Sequence, residues 1–239
     1  MKAGLMIMVA GCLVCFTQTR GAVADPTEYV ILLHGLARTE RSMQDLASRL
    51  VAEGYGVMNA GYPSRTATVQ ELAEKVIPAA VAECRRNGAG KIHFVTHSMG
   101  GILVRYYLSR YPLPDLGRVV MMAPPNSGSE AVDRLKDNFA FKWLNGPAGG
   151  QLGTGGDSLP RSLGPVNFEA GVIAGDRSVN LLLSRMIPGP DDGKVSVAAT
   201  RVDGMKDHIV IHATHPFIMD NRQAIDQTIV FLKQGQFSQ

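Results

Sequence analysis

The apolar run Ile92-His93-Phe94-Val95 passes directly into Thr96-His97-Ser98-Met99-Gly100-Gly101, and that segment opens a helix-like stretch from Ile102 to Ser109. A strand joined to a helix by so short a connection forces a sharp corner, and the helix must fold back on the sheet that contains the strand. The corner leaves the hydroxyl of Ser98 clear of the backbone. It also demands near-absent side chains two residues to either side, where strand and helix crowd together. Gly100 meets that demand and Thr96 meets it in part. A simpler reading, in which Ser98 only caps the helix, rests on the common use of serine at helix N-termini.

A serine hydroxyl is a weak nucleophile at neutral pH and needs an imidazole as general base, which in turn needs an anionic orienter. In chains built on a strand–serine–helix corner these follow in the order serine, acid, histidine. His215 lies between a short strand, Ile209 to Ile211, and a helix-like run from about Asn221 to Lys233, with Pro216 fixing its exit. His208 and His212, at the two ends of that strand, are the competing histidines, and they read as surface or edge residues. For the acid, Pro188-Gly189-Pro190-Asp191-Asp192-Gly193-Lys194-Val195 places two carboxylates in a rigid turn. Asp192 precedes the permissive Gly193 and is the preferred acid. Asp191 and Asp176 remain alternatives, as does a purely local turn role.

An electrophilic element precedes all of these. Val30-Ile31-Leu32-Leu33 is a continuous apolar run, as expected of a parallel strand covered on both faces, and it ends in His34-Gly35-Leu36. A glycine just past a strand end lets backbone N–H groups face a ligand. The N–H groups of Leu36 and Met99 are the expected oxyanion donors, which leaves His34 a positional role.

The rest of the chain alternates strands and helices. Strands are predicted at Tyr29 to Leu33, Gly56 to Asn59, Lys91 to Val95, Arg118 to Met122, Gly171 to Ala174, Val195 to Ala198 and Ile209 to Ile211. Helices are predicted at Met43 to Glu53, Thr68 to Asn87 and Gly101 to Ser109. This is the pattern of an α/β chain, a reduced and mostly parallel sheet of about six strands with helices on both faces. Pro78 predicts a kink near Ile77. The segment from Pro124 to Phe168 departs from the alternation. Its stretch from Glu130 to Leu144 carries Val132, Leu135, Phe139, Phe141, Trp143 and Leu144, and a glycine-rich loop follows. A long insertion of this kind is usually functional, so Phe139, Phe141, Trp143 and Leu144 are the expected substrate-binding wall or lid. A surface helix packed on the sheet is the alternative.

The first 24 residues carry Lys2, an uncharged run from Ala3 to Phe16, and Ala22-Val23-Ala24, a small-x-small site before Asp25. They read as a secretory signal peptide cleaved near Ala24, so residues 25–239 are expected to form one domain in the periplasm or outside the cell, without the two leading antiparallel strands of larger folds of this kind. The 24 basic and 21 acidic residues give a net charge of +3, and loss of Lys2 and Arg20 with the leader lowers it to +1. No clustered basic face of the sort nucleic acid requires is evident. Cys12 and Cys15 fall in the leader, and Cys84 reads as a small core residue.

These marks together resemble the α/β-hydrolase superfamily, most closely its small bacterial lipases and esterases. The resemblance rests on His34-Gly35-Leu36, His97-Ser98-Met99-Gly100-Gly101, Pro124-Pro125-Asn126-Ser127-Gly128-Ser129, Asp192-Gly193-Lys194-Val195-Ser196 and His215-Pro216-Phe217. It implies Ser98, Asp192 and His215 as a triad that cleaves carboxylic esters through an acyl-enzyme, with no cofactor and no metal. It further implies an ester or lipid substrate, transient contact with a lipid interface, and a monomer. An acyltransferase or a deacylase of lipid anchors is the alternative on the same scaffold, and a non-catalytic binding module is a third reading. A metal site at His208-x-x-x-His212-x-x-His215 lacks the further ligands that a catalytic zinc needs.

Overall fold

A computed structural model describes residues 26–238 except 136, 157 and 180, and the side chains of 140–142 and 181 also lie outside the description. The leader assigned to residues 1–24 is therefore outside the described residues, as is the side chain of Phe141.

In chain order the main elements are β1 (Glu28–Leu33), α1 (Gln44–Ala52), β2 (Gly56–Ala60), α2 (Val69–Arg86), β3 (Lys91–His97), α3 (Met99–Leu108) and β4 (Leu116–Met122). There follow α4 (Glu130–Leu135), α5 (Phe139–Gly150), α6 (Leu159–Ser162), β5 (Ala170–Gly175), α7 (Leu181–Ser184), β6 (Asp207–Ile211) and α8 (Arg222–Gln234). The six strands form one sheet in the order β2-β1-β3-β4-β5-β6, and every pairing is parallel.

Period-two alternation along the strands sorts the core into two layers. Ile31, Leu33, Ile92, Phe94, Val119 and Met121 face the side covered by α2 and α3. Val30, Leu32, Val95, Val120 and Met122 face the side covered by α1 and α8. Because both faces are covered, strands such as β1 are apolar at successive positions. Thr68 caps α2 by accepting from the Glu71 N–H while the Glu71 carboxylate accepts from the Thr68 N–H at 2.9 Å. The helix then runs through Pro78 without interruption, so the predicted kink does not divide it. Cys84 is buried on α2, and burial pushes its thiol up to about 11.

Two expectations are corrected. Val195 to Ala198 is not a strand: it holds a single antiparallel bridge, Asp191 to Ser196, and then a 3-10 turn over Ala198–Thr200. The backbone donors there are satisfied locally, since the Val195 N–H goes to the Asp192 carboxylate and the Ala199 N–H to Ser196 Oγ. The amphipathic stretch from Glu130 to Leu144 is likewise two helices. It breaks after Leu135, where the Asn138 N–H bonds the Leu135 carbonyl, and α5 bends again at Gly146, whose φ is 63°.

The topology marks one crevice. From β1 the chain steps outward to β2, then crosses back to β3 on the other flank of β1, so the C-terminal ends of β1 and β3 diverge at a switch point where ligands of open α/β sheets collect. Leu33 pairs with Thr96 across that boundary. His34-Gly35-Leu36 and His97-Ser98-Met99 therefore leave the sheet at the same level.

Candidate active site

Ser98 sits at the corner between β3 and α3 with φ 52° and ψ −121°. A non-glycine residue held there stores roughly 1–3 kcal/mol of strain, and packing around the corner maintains it. The Ser98 N–H donates to the Met122 carbonyl at 2.8 Å. A Cβ on residue 100 would lie 2.5 Å from the Leu33 carbonyl oxygen, which explains the glycine two positions beyond the serine. Thr96 fits on the other flank because Gly101 leaves it room: a Cβ there would lie 3.3 Å from Thr96 Oγ1. Ser98 makes no side-chain cap to α3. Its hydroxyl donates instead to His215 Nε2 at 3.0 Å.

His215 opens the turn that follows β6 and is buried. Its Nδ1–H donates to Asp192 Oδ2 at 2.8 Å, which leaves Nε2 bare to accept from Ser98. The other carboxylate oxygen of Asp192 accepts from the N–H groups of Lys194 and Val195 at 3.0 and 2.9 Å, and the His215 N–H returns to the Asp192 carbonyl at 2.9 Å. Asp192 is thus a buried carboxylate that accepts three hydrogen bonds, with its loop clamped to the histidine loop. The alternatives face elsewhere. Asp191 accepts from Ser184 Oγ and the Gly193 N–H, both at 2.7 Å, and so holds the turn. Asp176 meets the exposed His212 at 2.9 Å. His208 contacts Thr200 Oγ1 at 3.0 Å, and burial pushes its pKa down to about 4. The three C-terminal histidines therefore have three separate partners.

The loop after β1 abuts the serine. A Cβ on Gly35 would lie 2.7 Å from His97 Nδ1 and 3.2 Å from Ser98 Cβ. His34 is buried, stacks on Tyr62 with ring centroids 4.0 Å apart, and donates from Nδ1 to the Gly35 carbonyl at 2.9 Å. That bond turns the Gly35 carbonyl one way, and the planar trans peptide turns the Leu36 N–H the other. Tyr62 Oη donates to the His34 carbonyl, and burial holds the phenol protonated. His34 is accordingly a positioning residue for the peptide that carries one proposed oxyanion donor. Met99, the other expected donor, directly follows Ser98 at the start of α3.

His97 was not singled out from the sequence. It is buried, its Nε2–H donates to the His215 carbonyl at 3.0 Å, and its Nδ1 has no partner. Burial first, and then the nearby His215, Lys194 and Arg38, hold its pKa well below the ordinary histidine range. It is a neutral donor that supports the His215 backbone.

A pocket opens beside Ser98, and its apolar part is formed by Leu36, Pro125, Val132, Leu135, Leu152 and Val195. The wall is thus α4 and the turn after α5. Phe139, Trp143 and Leu144 do not line it and are 82%, 75% and 49% exposed. The break after Leu135 places these residues on a separate helix, α5. Val132 and Leu135 belong to the stretch expected to form the wall and Pro125 to the quoted Pro-Pro-Asn motif, whereas Leu152, in the glycine-rich loop, carried no local signal.

A family model described as the alpha/beta hydrolase fold matches residues 29–169. The chain belongs to that family. Among solved α/β-hydrolase structures, it is similar to the mature lipase BlEst2 of Bacillus licheniformis, at 18% identity over 87% of this chain and 93% of that one, TM-score 0.68. It is also similar to a structure from a study of the metagenome-derived lipolytic enzymes LipS and LipT, at 16% identity over 88% and 95%, TM-score 0.60. The metagenomic carboxyl esterase MGS0156 aligns at 21% identity over 82% of this chain and 66% of that one, TM-score 0.60. A sequence comparison with curated proteins gives no significant match.

Proposed function

We propose that this α/β-hydrolase is a serine esterase of the lipase type, cleaving carboxylic esters through an acyl-enzyme on Ser98. The observation that carries the reading is the relay from Ser98 Oγ through His215 to Asp192, buried at one end of an apolar pocket. His215 Nε2 takes the hydroxyl proton as Ser98 Oγ attacks the ester carbonyl, and the Leu36 and Met99 N–H groups receive the charge that develops on the carbonyl oxygen. The imidazolium is stabilised by Asp192 and returns the proton to the leaving alcohol. Water then enters, loses a proton to His215 and attacks the acyl carbon; the bond to Ser98 Oγ breaks, His215 returns the proton to Oγ, and the acid leaves. The residues present suffice for these steps, and no cofactor or metal is invoked.

The apolar surface near the mouth supports contact with a lipid interface. Leu182 and Phe217 are exposed, and each is the immediate neighbour of a pocket-lining residue, Leu183 or Pro216. Leu144 adjoins Asn145 in the same way, and the exposed Trp143 lies one residue before Leu144. The leader composition of residues 1–24 supports a periplasmic or secreted location and a monomer is the simplest working form. The experiment is hydrolysis of p-nitrophenyl esters by wild type and Ser98→Ala. Loss of all turnover in a folded variant supports the reading, and turnover unchanged by the substitution refutes it.

A further inference from the structure

The pocket beside Ser98 contains two cations, Arg38 and Lys194, and no carboxylate among its lining residues. Neither forms an ion pair among the described residues. Asp192 is the acid that acts on Lys194, but its oxygens are committed to His215 and two backbone N–H groups. Arg38 Nη2 donates to the Pro216 carbonyl at 2.9 Å. Arg38 also acts through space on Asp220, whose carboxyl is pushed up by burial and by Asp45 and only partly lowered by Arg38. Lys194 reaches solvent at the rim, yet crowding by protein and the charge of Arg38 both lower its pKa. Two like charges thus line one opening, and no carboxylate lines it with them.

Their location separates the two halves of an ester. Arg38 is tied to the residue after His215, and Lys194 stands two residues after Asp192, so both cations belong to the loops that carry the base and its orienter, and the base is the group that protonates the departing alcohol. Pro125, Val132, Leu135 and Leu152 come from the inserted segment, carry no charge, and suit an acyl chain. An Arg fork and a Lys point charge together match a phosphate. Resting on the esterase reading, we propose that Arg38 and Lys194 bind a phosphate carried by the alcohol half of the substrate, so that the preferred substrate is an acyl ester of a phosphorylated alcohol. The C–O bond of the acyl ester breaks, and the phosphate leaves still attached to the alcohol.

The test compares hexanoylglycerol phosphate with hexanoylglycerol, both kept monomeric so that no lipid surface contributes. Wild type should prefer the phosphorylated ester by roughly tenfold or more in kcat/KM, a preference that salt weakens. Lys194→Gln should remove most of that ratio through KM, Lys194→Glu should invert it, and Arg38→Lys should lower it by loss of the fork. Fluorophosphonate labelling of each variant verifies an intact Ser98. Equal activity on the two wild-type substrates, or a ratio that the Lys194 variants leave unchanged, overturns the proposal. An equal fall of kcat on both esters also overturns it, by assigning the cations to the transition state. Inorganic phosphate that alters hexanoylglycerol cleavage without any preference for the phosphorylated ester assigns the cations to a free anion instead. No turnover of either ester and no labelling of wild type would mean that the esterase reading itself fails.

Discussion

Replacing Asp192 by Asn preserves size and removes one charge, and the structure specifies the consequence. An Asn carbonyl at the Oδ1 position keeps the N–H groups of Lys194 and Val195, at 3.0 and 2.9 Å, which places its NH2 group where Oδ2 now lies, 2.8 Å from His215 Nδ1. Two donors cannot share that contact, so His215 must carry its proton on Nε2. Nε2 can then no longer accept from Ser98 Oγ, 3.0 Å away. The expected loss is up to ~10^4-fold in kcat, which is about 5 kcal/mol of barrier at ~1.36 kcal/mol per tenfold. The assay is p-nitrophenyl butyrate turnover, with urea unfolding as a check on the fold. Asp191→Asn gives up part of the Ser184 and Gly193 contacts and should cost about 1–2 kcal/mol of stability with little change in kcat. Asp176→Asn, on an exposed contact with His212, should cost under ~0.5 kcal/mol. If Asp192→Asn keeps more than about a tenth of wild-type kcat while either control is severe, the orienting role belongs to another carboxylate.

Acyl preference should rise with chain length by about 0.8 kcal/mol, roughly fourfold, per methylene until the pocket is full. Val132→Trp should end the rise at shorter chains, whereas Trp143→Ala, outside the pocket, should alter a p-nitrophenyl ester series less. Gly100→Ala places a Cβ against the Leu33 carbonyl, 2.5 Å away, and should cost about 1–3 kcal/mol in urea midpoint analysis together with activity. Burial lowers the pKa of both His97 and His208, the latter to about 4. The unfolded chain, with histidines near ~6.5, therefore binds more protons between those values, and stability must fall as pH drops through that window. A urea midpoint that is as high near pH ~4.5 as near neutrality, or a fall that His208→Gln leaves undiminished, would contradict this.

The elements most legible in the sequence were those that local chemistry dictates. The corner at Ser98 needs Gly100, the acid turn needs Gly193 in a left-handed conformation with φ 97°, and β1 is apolar throughout because both of its faces are covered. The serine, acid and histidine could be aligned because each follows the C-terminal end of a predicted strand or a marked turn. The segment that forms the pocket wall was legible, but not which of its residues face the pocket. Amphipathic spacing over Glu130 to Leu144 assumes one continuous helix, and the break after Leu135 depends on how that segment meets the rest of the molecule. Val195 to Ala198 resembles a strand by composition, yet a carboxylate and a hydroxyl close at hand satisfy its donors better than a neighbouring strand. His97, Arg38 and Lys194 gain their roles from His215, Pro216 and one another, and partners so distant along the chain leave no periodic trace.

Covalent modification tests the central claim most directly. A fluorophosphonate probe reports a serine activated by a neighbouring base, and peptide mass mapping reports which serine it is. The account predicts stoichiometric labelling of the peptide containing Thr96-His97-Ser98-Met99-Gly100-Gly101, with the probe on Ser98, and none in folded Ser98→Ala. Labelling of a different serine, or undiminished labelling of Ser98→Ala, would contradict it.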